Sequence, residues 1–139
     1  MEHNLLDRSN YFKGLLLLVA SDNKITENEK TALRTLAKEL DFNQSFVNKA
    51  IEDFFENEFL SYDPPIFSND EFAKIFTKDA IRVAFSDKTL HIYEIDWLNN
   101  FVIKNNISKE WFVNELEIFL NNYELYDLGD FEIQKHLQN

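Results

Sequence analysis

Two glycines and two prolines in 139 residues leave this chain few places to turn tightly. Those two residues end helices and shape hairpins, so a chain this poor in both favours long helices over a meander of strands. The apolar residues agree, recurring at the three- and four-residue steps of a helix face. Leu5, Leu6, Tyr11, Phe12, Leu15, Leu16, Leu18 and Val19 define a first helix over 4–20. Its closing run, LLLLVA, is apolar on every side, as a helix at the centre of a bundle must be.

The same reading carries along the chain. Asn23 suits a left-handed helix stop. Thr26 and Glu29 form a capping box that opens a second helix over 26–40, with Ala32, Leu33, Leu36, Ala37 and Leu40 inward. Asn43 or Ser45 caps a third helix ending near 57, with Phe46, Val47, Ala50, Ile51, Phe54 and Phe55 as its apolar face. Pro64 and Pro65 mark the linker, 58–68. A fourth helix is predicted over 68–85, with a kink at 77–79, and a fifth over 91–105. A sixth is capped by Ser108. Beyond Gly129, Asp130 caps a short last helix carrying Phe131, Ile133 and Leu137. The expected fold is all-α: one domain over 1–139, a compact bundle of six to seven helices.

Composition narrows the partners. The formal net charge of -11 repels phosphate backbones and anionic lipid, so nucleic acid is not expected as a partner. Cations and basic protein surfaces are the natural ligands, although surplus carboxylate also serves plain solubility. The absence of cysteine excludes disulfides and thiolate metal sites. Glu2 and Asp7 stand where a signal peptide carries basic residues, and the apolar run at 15–20 is far short of the ~20 residues that span a bilayer. A cytoplasmic protein without membrane insertion is expected. Its oligomeric state is left open.

Sliding the chain on itself by 65 residues superposes 4–57 on 69–122 without a gap. Nine of the 54 pairs are identical, among them Ser21/Ser86, Asp22/Asp87, Glu29/Glu94 and Phe54/Phe119. Apolar positions also coincide, as in Ile25/Leu90, Leu36/Phe101 and Phe46/Trp111. Each half reads as a three-helix unit that cannot bury its own face, so the two are expected to pack about a pseudo-twofold.

Each half carries an acidic turn: Asp22, Ile25 and Glu29, then Asp87, Leu90 and Glu94. An EF-hand closing on Glu29 would place its first ligands at Leu18 and Ala20, and the second copy at Val83 and Phe85. None of these can ligate through its side chain, whereas calcium takes about 6–8 oxygens, which excludes a sensor EF-hand. The turns instead resemble the TerB-like tellurite-resistance family, in which A-D-G-x-I-S-x-x-E opens a helix twice in an all-helical domain. Here the motif reads S-D-N-K-I-T-E-N-E at 21–29 and S-D-K-T-L-H-I-Y-E at 86–94. Asn23 and Lys88 stand where the family has glycine, and His91 replaces its Ser/Thr cap. The resemblance implies a helical module of stress-response or envelope-associated complexes, with a divalent metal ion held by Asp22, Glu29, Asp87 and Glu94. Lys88 beside Asp87 weakens the second copy as a cation site.

Each turn is also explained without an ion, Glu29 as a capping-box partner and Asp22 as a turn residue. Four carboxylates could share one ion only where the two turns meet. The remaining residues carry little chemistry. His3, His91 and His136 lack ligand spacing, and His91 reads as an imperfect N-cap. Trp97 and Trp111 sit on apolar stripes and read as core. The linker residues 62–67 read either as a partner contact or as a cover for the bundle end. No phosphate-binding glycine loop or nucleophile motif occurs. The expectation is a non-enzymatic module with a protein partner and a divalent cation at the paired turns; the alternative is an acidic adaptor that docks a basic partner without metal.

Overall fold

A computed structural model describes residues 5–56, 63–125 and 131–137. All regular structure among them is helical. In chain order the helices are α1 (Leu5–Val19), α2 (Glu27–Glu39), α3 (Gln44–Asp53), α4 (Asp70–Ala84), α5 (Ile92–Lys104), α6 (Lys109–Asn122) and α7 (Glu132–Leu137). Short 3-10 turns follow α3, α4 and α6 at Phe54–Glu56, Phe85–Asp87 and Tyr123–Leu125.

The caps show why these segments begin and end where they do. Asn43 caps α3, its side chain accepting the N–H groups of Ser45 and Phe46, and Ser108 caps α6. Asn69 rather than Ser68 caps α4, accepting the Phe72 N–H at 2.8 Å. The kink predicted at 77–79 is absent. Thr77 instead donates its hydroxyl to the Ala73 carbonyl at 2.9 Å, one turn back on a continuous helix. The expected break at Gly129 and cap at Asp130, and the end of the third helix at 57, lie outside the described residues. Among the described residues, four non-glycine residues adopt positive φ after helix ends: Asn23 (69°), Asp41 (62°), Lys88 (64°) and Asn106 (57°). Asn and Asp tolerate that region, whereas Lys88 holds it at a cost of about 1 kcal/mol.

The core forms one continuous hydrophobic cluster. All six residues of the run 15–20 are buried, as the sequence requires of a central helix. α4 crosses α1 and is itself buried along most of its length. Phe67 leaves the linker and inserts among Tyr11, Phe72, Phe76 and Phe101. Asn105 fixes that insertion, accepting the Phe67 N–H and donating to the Pro65 carbonyl, both at 2.9 Å. The described part of the linker therefore seals the bundle, although Ile66 stays 65% exposed. Gly14 lies beneath it; a Cβ there would meet the Phe76 ring at 2.9 Å and Pro65 at 3.2 Å.

A buried polar device seats α7. Asp79 on α4 is fully buried, accepting the Tyr11 hydroxyl and the N–H groups of Glu132 and Ile133. It caps α7 from another helix, supplying acceptors to donors that would otherwise be orphaned. No described helix is long and apolar enough to cross a membrane.

Candidate functional site

The fold brings the two acidic turns together. At the first, Thr26 caps α2: its Oγ1 accepts the Glu29 N–H at 3.1 Å, and Glu29 Oε1 accepts the Thr26 N–H at 2.8 Å. At the second, His91 caps α5: its Nδ1 accepts the Tyr93 N–H at 3.2 Å, and Glu94 Oε1 accepts the His91 N–H at 3.0 Å. His91 is therefore the substitute cap read from the sequence. Asp87 bridges the turns. Its carboxylate accepts the Thr26 hydroxyl at 2.6 Å and the Asn28 amide at 2.7 Å. Asp22 accepts the Lys24 N–H at 3.4 Å, and its charge also helps raise the pKa of Glu29 and Glu94.

Behind this bridge the two capping glutamates meet. Glu29 is 5% exposed and Glu94 3%. Burial raises the pKa of both, since charge is disfavoured away from water. Glu94 is pushed up to about 8, by burial first and then by the facing Glu29, outweighing its bond from the His91 N–H. No group donates a hydrogen bond to Glu94 Oε2. The two carboxyls titrate as a pair, and burial together with their mutual repulsion favours one bound proton between them near neutral pH. Two buried carboxyls sharing one proton avoid two adjacent charges.

Hydrogen bonds already engage part of this donor set. Both Asp87 oxygens already accept hydrogen bonds, as does one oxygen of each glutamate. Among the described residues, no three His, Asp or Glu side chains are grouped so as to hold a metal ion. The Ser21 and Ser86 hydroxyls are buried nearby in sequence and make no hydrogen bond. Lys88, expected to oppose a cation at Asp87, places its ammonium 5.9 Å from the centre of the Tyr123 ring.

A second feature was not legible in the sequence. The third helix was expected to turn Phe46 and Phe55 inward, yet they are 56% and 48% exposed. Phe42 and Phe46 stack at 6.1 Å, and Phe12 packs on Phe42 at 5.6 Å. With Leu16, Ala50 and Phe54 they line a half-open apolar cavity of about 430 Å³ between α1 and α3, with Ser9, Lys13 and Asp53 at its polar positions. Helical spacing alone put these phenylalanines on the apolar side of α3. It could not show that no element of the described chain covers them. The tryptophans divide: Trp97 is core, whereas Trp111 is half-buried with the Lys74 ammonium 5.3 Å from its ring.

In comparisons with known proteins, no family model, no curated protein and no solved structure matches this chain.

Proposed function

We propose that this protein is a non-catalytic helical adaptor that binds a protein partner through the phenylalanine-lined cavity between α1 and α3. One observation carries the reading: a cavity of about 430 Å³ walled almost wholly by aromatic and aliphatic side chains, with two large phenylalanines left half in water beside it. Monomeric proteins rarely leave such a patch open without a binding role. The acidic turns then serve as a clasp between the two halves, and their carboxylates are explained by caps and a shared proton. A photo-crosslinking residue at Phe46 tests this in native lysate against the same residue at Glu117, on α6. A defined adduct from position 46 alone supports the reading. Equal labelling from both positions, or none, counts against it.

A two-repeat architecture is part of the proposal. It is supported by element boundaries: α1 and α4, like α2 and α5, start and end 65 residues apart. The four positive-φ residues fall into two pairs at the same spacing.

The second reading is the TerB-like one, a stress-response or envelope-associated module holding a divalent cation. It is favoured by the meeting of the two turns and by the unpartnered oxygens of Ser21, Ser86 and Glu94. An ion there would displace the shared proton. Thermal-shift titration with calcium, magnesium, manganese and zinc decides it. A saturable shift lost in Glu94→Gln supports the ion, and no response at millimolar metal removes it.

A further inference from the structure

The cavity between α1 and α3 has a smaller counterpart. On the other half, Lys78, Ile81, Glu115, Ile118 and Phe119 line a cavity of only about 90 Å³. They stand 65 residues after Lys13, Leu16, Ala50, Asp53 and Phe54. The start of α7 reaches its wall: Glu132 lines it and pairs with Arg82 at 3.2 Å.

The differences between the two surfaces define what the open one would take. Ala50 stands where Glu115 does, removing a carboxylate and leaving room for a large apolar anchor. Phe12 replaces Thr77, which makes the floor more apolar. Asp53 replaces Ile118, putting a carboxylate on the α3 rim where the other surface has hydrocarbon, while Lys13 on the α1 side keeps its counterpart's charge. Glu52 and Glu56 are exposed on either side of it in sequence, and the whole chain carries a net charge of -11. An acidic molecule with an apolar groove suits a helix that is apolar on one face and basic on its flanks.

We propose that the α1–α3 groove binds a basic amphipathic helix of a partner protein. This rests on the adaptor reading above. The apolar face of the helix enters between Phe12, Phe42, Phe46 and Phe54, and a lysine or arginine on its flank meets Asp53.

The test is calorimetric titration of the full chain with a synthetic amphipathic Leu/Lys peptide of about 14 residues, long enough to present a helical face. A matched Leu/Glu peptide is the control. The expected result is saturable binding of one Leu/Lys peptide per chain and none of the Leu/Glu peptide. Ala50→Trp, which fills the groove, and Phe46→Ser, at an exposed position, should each weaken binding by about tenfold, as loss of a central anchor does. Phe46→Ser decides the matter where Ala50→Trp fails to give the native circular dichroism melt. Failure of the Leu/Lys peptide to bind overturns the proposal. So does binding that ignores both groove variants, which would mark a general attraction to the acidic surface. A specific adduct from Phe46 without Leu/Lys binding would leave the adaptor reading standing and remove this one. Loss of both results would remove both.

Discussion

At the scale of single residues, Glu94 holds the most informative chemistry. Its folded-state pKa lies above its ordinary value, raised from 4.5 to about 8 by burial and by the facing Glu29. The protonated form is favoured in the folded chain. Its contribution is therefore fully present below about pH 4.5 and is lost as pH rises through 8. Between pH 6 and 8 the loss should reach about 1–2 kcal/mol in the wild type. Glu94→Gln keeps an oxygen for the His91 N–H and supplies a neutral donor toward Glu29. Urea unfolding at pH 6 and pH 8 should show most of that decline gone in the variant. An equal decline in both proteins would mean that Glu94 does not hold the proton. Asp79 behaves similarly in a lower window: burial raises its pKa from 3.8 to about 6 despite three hydrogen bonds. Its contribution fades between those values.

At the scale of elements, the join between the turns rests on Thr26. That hydroxyl accepts the Glu29 N–H within its own helix and donates to Asp87 across the join. Thr26→Ala should cost about 1–2 kcal/mol, the range of a lost N-cap. Asp87→Ala removes only the bridge and should cost less. In a double-mutant cycle the two should couple by about 0.5–1 kcal/mol, since they share one hydrogen bond. Strict additivity would show that the turns lie side by side without holding each other. The neighbouring His91 illustrates how a weaker cap is tolerated: its Nδ1 takes the Tyr93 N–H, one residue earlier than the Glu29 N–H that Thr26 takes in the first turn, and Glu94 Oε1 accepts the His91 N–H.

At the scale of the whole molecule, the charge of -11 opposes compaction, and few cations offset it locally. The ion pairs are mostly exposed, as with Lys30–Glu27 and Lys104–Asp63, and contribute little. Screening this repulsion should stabilise the fold. Raising sodium chloride from about 10 to about 150 mM, which shortens the Debye length from about 30 to about 8 Å, should raise the melting temperature by a few degrees. A fall instead would show that specific ion pairs outweigh the general repulsion. The same field draws basic partners toward the molecule at low salt, which suits the groove proposed between α1 and α3.

The sequence by itself determined the helices, because helical periodicity, capping residues and the scarcity of glycine and proline are all local properties. Thr26, Asn43, His91 and Ser108 cap helices as their chemistry requires, and the run 15–20 is buried as its uniform hydrophobicity demands. Tertiary structure alone decided what those helices bury. Asp79 is buried because α7 folds back onto it across more than fifty positions, which no local pattern around it specifies. Phe46 and Phe55 fit an apolar stripe but have no described helix to cover them. Which partners the acidic turns meet is likewise tertiary: Asp87 accepts from Thr26 and Asn28, and Glu29 faces Glu94. Burial, proton sharing and cavity shape depend on which distant surfaces meet, and no spacing within one segment specifies that.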